Sequence, residues 1–123
     1  MIKFSSDLQK KLEGSFLVLA TVNNENKPHV IAMTCYKVLT ENIILLCDTY
    51  LQETLINIKH NSRVSLLFVS KDKTGYEFSG QAKYLEAGEE VELCKELKGQ
   101  KGLICKGALI VEVDRVVISG NKK

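Results

Sequence analysis

The chain reads as mainly β with α: an antiparallel sheet or barrel of about six strands, with two to three short helices across its open ends. Three observations carry this. Short apolar runs rich in β-branched residues recur along the chain, separated by hairpin-length clusters of Asn, Asp, Gly, Lys and Thr. Three other stretches carry helical rather than strand spacing. The resulting order, α-β-β-β-α-β-β-α-β, joins most neighbouring strands by turns too short for parallel crossovers.

Taken in order, Ser6-Asp7-Leu8-Gln9 fits a capping box, in which a hydroxyl and an amide side chain satisfy the orphan groups of a helix start. Leu8 and Leu12 share a face, and Gly14 supplies a left-handed stop, so a helix is expected over 6–13. Phe16–Val22 is expected as a strand buried on both faces. The polar run Asn23–Pro28 turns the chain, and His29–Leu39 returns as the second arm of a hairpin. Thr40-Glu41-Asn42 leads into a third strand, Ile43–Asp48. Leu51, Leu55 and Ile58 predict a helix over Leu51–His60. Arg63–Val69 resumes strand character, and Lys71–Gly75 is a turn. From Tyr76 to Glu86 the pattern alternates, with Tyr76, Phe78, Gly80, Ala82 and Tyr84 on one side and Glu77, Ser79, Gln81 and Lys83 on the wet side. A charged helix, Ala87–Lys98, has Val91, Cys94 and Leu97 in one stripe and otherwise a solvated face. Gly99, Gly102 and Gly107 punctuate the link to the last strand, Ala108–Ile118. No repeat or linker interrupts the pattern, so residues 1–123 read as a single domain.

Composition narrows the function classes. Seventeen Lys+Arg against 15 Asp+Glu leave a net charge of +2, with the Lys122-Lys123 tail read as a solvated terminus. That balance offers no electrostatic basis for binding nucleic acid or an anionic membrane. No apolar run approaches membrane-spanning length and no signal-peptide pattern opens the chain, so the expectation is a cytoplasmic protein. Cys35, Cys47, Cys94 and Cys105 are irregularly spaced, without a CxxC pair, and only His29 and His60 accompany them. No metal site is expected, and the cysteines read as reduced, structural thiols. His29 reads as an exposed strand residue, and His60 as a favourable cation at a helix end. No Ser/His/Asp, Cys/His or paired-carboxylate constellation stands at a usable spacing.

Several stretches together resemble the pyridoxamine 5′-phosphate oxidase-like, FMN-binding split-barrel family. They are Lys27-Pro28-His29-Val30, the helix Leu51–His60, Asn61-Ser62-Arg63-Val64-Ser65-Leu66, Gly80-Gln81-Ala82-Lys83-Tyr84-Leu85 and Lys106–Val113. The resemblance runs from about Phe16 to Val117. It implies a Greek-key-like split β-barrel that works as a homodimer, with FMN in clefts between the subunits. By position, the strand beside the flavin ring would comprise Ile31, Ala32, Met33, Thr34, Cys35 and Tyr36. Cys47, Asp48 and Thr49, with Gln52, Glu53 and Thr54 at the following helix start, would hold the ribityl chain and phosphate. A helix N-terminus suits a phosphate, because its amide N–H groups are unpaired.

The resemblance implies an FMN-binding flavoprotein with a redox or electron-transfer role on a small molecule, possessing no identified catalytic residue of its own. Two departures shape that expectation. The oxidases clamp the FMN phosphate with basic residues at four positions, and Ile31, Tyr36, Glu53 and Thr54 stand there in this chain. The C-terminal segment that binds the pyridoxal substrate has no counterpart either, so the true oxidase activity is not expected. The competing reading is a non-enzymatic ligand-binding or interaction module of the same fold that has lost FMN phosphate binding and holds another flavin, heme, a different planar ligand or nothing. A small barrel for single-stranded nucleic acid has little support, since aromatic residues are few and the charge is nearly balanced.

Overall fold

A computed structural model of the protein describes residues 4–12, 15–100 and 102–120. Ten elements follow one another: α1 (Ser6–Leu12), β1 (Leu17–Val22), β2 (Pro28–Met33), β3 (Tyr36–Thr40), β4 (Ile43–Asp48), α2 (Gln52–His60), β5 (Arg63–Val69), β6 (Thr74–Leu85), α3 (Glu89–Gln100) and β7 (Gly107–Gly120). The fold is mainly β with three helices, built on one antiparallel sheet of seven strands in the order β2-β1-β5-β6-β7-β4-β3. β4 lies beside β7 at the end of the β5-β6-β7 run, a Greek-key-like path whose long connection carries α2.

The strand expected over His29–Leu39 is two strands, which raises the count from about six to seven. β2 pairs with β1, whereas β3 pairs with β4 at the opposite edge of the sheet. Only Thr34 and Cys35 separate these two edge strands. The sheet therefore curls until its edges meet at one end, yet the hydrogen-bonded ladder does not close across them.

The inner face of this curl holds the main core: Leu17 and Leu19 from β1, Ile44 and Leu46 from β4, Phe68, Phe78, Leu109 and Val111, with Phe4, Leu12, Leu51 and Ile58 from the helical segments. The expectation that β1 is buried on both faces is corrected. Leu17, Leu19 and Thr21 point inward, while Val18, Ala20 and Val22 are only half-buried on the outer face. On the outer face, α3 covers β4 and β7 through Val91 and Cys94, packed with Leu45, Cys47 and Ala108. No described element covers the outer face of β2, β1 and β5. There Val30, Leu67 and Val69 are 62%, 41% and 57% exposed.

Local signals explain most boundaries. The α1 cap is Ser5 rather than Ser6: its hydroxyl accepts from the Leu8 N–H at 3.1 Å, and the Gln9 side chain donates to the Phe4 carbonyl at 3.1 Å. The proposed Glu13-Gly14 stop and the Lys122-Lys123 tail lie outside the described residues. β6 and β7 shift register between Ser79 and Gly80. A Cβ on Gly80 would run into the Glu112 carbonyl, so this bulge requires glycine.

A cavity at the split of the sheet

The site is built where β2 ends, the chain crosses to β3, and β4 runs into α2. Asp48, 2% exposed, organises this corner. One carboxylate oxygen accepts from the Leu51 N–H at 3.0 Å, and the other accepts from the Tyr84 hydroxyl at 2.5 Å. Its backbone carbonyl accepts from the Lys106 N–H at 2.8 Å. Burial, then the adjacent Asp48 carboxylate, pushes the Tyr84 phenol well above its ordinary range, which keeps it a donor. Gly107 makes this possible, because a Cβ there would occupy the place of the Tyr84 hydroxyl. The Thr49 hydroxyl donates to the Ile104 carbonyl at 2.8 Å, tying the segment before β7 to the end of β4.

These contacts frame a cavity of about 140 Å³. One wall is the β2 end and crossover, Ile31, Ala32, Met33, Thr34 and Cys35; the other is Cys47, Thr49, Tyr50 and Leu51, and Lys98 and Leu103 complete the lining. Seven of the twelve sequence-derived residues thus meet at one place: Ile31 to Cys35, Cys47 and Thr49. The other five, Tyr36, Asp48, Gln52, Glu53 and Thr54, are not in its lining. Tyr36 turns its hydroxyl to the carbonyl oxygens of Leu12 and Ser15, donating to one or the other. Gln52 and Glu53 are exposed to solvent. Thr54 is 1% exposed, and its hydroxyl has no hydrogen-bond partner.

The walls are chemically quiet. Cys35, Cys47 and Cys94 are buried, Cys105 is half-buried, and none of the four forms a disulfide among the described residues. A hydrogen bond with Cys94, then burial, pushes the Cys47 thiol far above its ordinary range, so it stands protonated and is a poor nucleophile. Among the described residues no group of His, Cys, Asp and Glu could hold a metal ion, and no helix is long and apolar enough to cross a membrane.

One residue corrects the sequence reading outright. Lys98, expected on a solvated helix face, is 4% exposed and lines the cavity. Val91, Cys94 and Lys98 follow helical spacing, so extending the buried stripe by one turn would have found it. Tyr50, 77% exposed, and Leu103 carried no comparable signal. Lys106 places its ammonium 6.0 Å from the centre of the Tyr50 ring.

A larger cleft of about 720 Å³ lies between α1 and the β5–β6 turn, lined among others by Lys10, Lys11, Ser70 and Asp72. It contains none of the sequence-derived residues. Lys11 pairs with Asp7 at 3.5 Å, and Asp72 accepts from Ser70 and Thr74. The smaller cavity carries the more specific chemistry.

Comparison with known proteins locates the fold. The family described as pyridoxamine 5′-phosphate oxidase matches residues 8–117. An uncharacterized protein of Methanocaldococcus jannaschii is 30% identical over 120 residues, covering 94% of this chain and 80% of its own length. The solved structure of HupZ from Group A Streptococcus superposes with a TM-score of 0.86 at 20% identity, over 94% of this chain and 93% of that one. An FMN-binding protein from Syntrophomonas wolfei gives 0.74 at 16% identity, over 87% and 78%. A heme-binding protein from Mycobacterium smegmatis gives 0.67 at 22% identity, over 86% and 49%.

Proposed function

The chain belongs to the pyridoxamine 5′-phosphate oxidase family, and on that premise we propose that it is an FMN-binding flavoprotein acting as a homodimer in redox or electron transfer with a small molecule. The observation that carries this reading is the cavity where the sheet splits, whose walls are the β2 end and the β4–α2 junction. Its chemistry suits a flat conjugated ring. Ala32, Thr34 and Cys35 are small, and a protonated Cys47 adds no charge. When bound, the flavin would supply hydride or single-electron chemistry, the protein governing access and orientation.

The volume argues for two chains. Ligand pockets run to roughly 300–1,000 Å³, and a cavity of about 140 Å³ fits the reading in which a second chain completes the site. The uncovered outer face of β2, β1 and β5 adjoins it through Ala32 and presents Val30, Leu67 and Val69. A second copy seated there would cover this apolar surface and close the cleft. Within each half-site, Ile31 to Cys35 would flank the ring, and Thr49, Tyr50 and Lys98 would meet its tail. Asp48 would hold the corner from behind.

A purified sample tests this directly. The reading expects a flavin absorbance spectrum, or a flavin fluorescence change on FMN titration, with sedimentation as a dimer. A folded protein that leaves FMN fluorescence unchanged would rule it out. The absence of basic residues at Ile31, Tyr36, Glu53 and Thr54 favours one alternative, a non-enzymatic module holding another planar ligand. Soret absorbance on hemin titration, with no response to FMN, would select that alternative.

A further inference from the structure

Tyr50 lines the cavity at the β4–α2 junction and is nevertheless 77% exposed. Leu103, 39% exposed, lines the same cavity. Ile104, 76% exposed, is tied to the same place by its carbonyl, which accepts from the Thr49 hydroxyl. The Lys106 ammonium lies 6.0 Å from the centre of the Tyr50 ring and pairs with no carboxylate among the described residues. Water therefore meets an aromatic ring, two aliphatic side chains and a cation at one end of the site. A flat ring covers such a surface, and the cation favours a ring joined to an anion.

The family's phosphate clamp offers little hold at this end. Basic residues are lacking at Ile31, Tyr36, Glu53 and Thr54, and Glu53 is exposed at the α2 start. A second ring beyond the phosphate gains stacking energy that needs no such clamp. We propose that the ligand is a flavin dinucleotide whose adenine stacks on Tyr50, with Lys106 beside its diphosphate. This rests on the flavin reading and deepens it, by naming the group carried at the end of the tail.

Wild-type protein, Tyr50→Ala and Tyr50→Phe are titrated calorimetrically with FAD, FMN, riboflavin and ADP, with sedimentation alongside. The side chain is mostly exposed, so each variant is expected to fold. Wild type is expected to prefer FAD over FMN by about tenfold, the scale of one base stacked on an aromatic side chain. Tyr50→Phe keeps that preference, and Tyr50→Ala binds FAD and FMN alike. Equal affinities in wild type, or a preference that survives in Tyr50→Ala, overturn the proposal. A Tyr50→Ala protein that sediments as monomer and loses all three flavins equally places Tyr50 in the contact between chains, which also overturns it. If wild type binds no flavin, the flavin reading itself falls, and ADP decides the role of Tyr50. ADP binding by wild type and Tyr50→Phe that Tyr50→Ala lacks sustains the adenine site, and an equal or absent response overturns it.

Discussion

Asp48 engages both carboxylate oxygens, one with the Leu51 N–H and one with the Tyr84 hydroxyl, and this fixes the corner on which the cavity depends. Tyr84→Phe leaves one oxygen of a buried carboxylate unanswered, so a loss of about 1–3 kcal/mol in unfolding free energy is expected by urea denaturation. Gly107→Ala should cost at least as much, because the new methyl displaces the same hydroxyl. Thr54 behaves oppositely. Its buried hydroxyl has no partner, so Thr54→Val is expected to be neutral or to stabilise by up to about 1 kcal/mol. If that hydroxyl bonds a ligand, FMN titration will show the affinity loss. In sequence, Asp48 and Thr54 both looked like ligand contacts, since polar residues at a strand end and helix start serve either purpose. What distinguishes them is the long-range meeting of Asp48 with Tyr84, which no local pattern encodes. Lys98 was nearer to being legible, because its spacing from Val91 and Cys94 is that of the buried stripe.

At the scale of elements, the turns and most strands were readable because Asn, Gly, Pro and alternating apolar residues mark them locally. The break at Thr34-Cys35 was not readable. No Gly or Pro interrupts His29–Leu39, and the division arises from the sheet edge to which each half pairs. The β5–β6 turn offers a pH test. Asp72 accepts from Ser70 and from the Thr74 N–H, and these bonds hold its carboxyl down to about 2. A carboxyl whose folded pKa lies below its unfolded one stabilises the fold above the unfolded value, and that contribution fades as pH falls through the folded one. Stability should therefore decline between about pH 4 and pH 2, and Asp72→Asn should flatten that decline in acid-denaturation curves.

At the scale of the molecule, one half of the outer sheet face is covered by α3 and the other half is bare. Polar substitution on the bare half separates folding from assembly. Val30→Glu and Leu67→Glu replace side chains already exposed in the single chain, so unfolding free energy should shift by no more than about 0.5 kcal/mol. Sedimentation should nevertheless show dissociation to monomer, with FMN affinity falling in parallel. The composition could not reveal this face, because an alternating strand looks the same whether water or a second chain lies on its outer side. The measurement closest to the central claim is FMN titration of the purified protein, followed by flavin fluorescence and sedimentation together. Saturable binding, equimolar with chains, in a particle of dimer mass is expected. A folded protein that stays monomeric and leaves FMN fluorescence unchanged would contradict it.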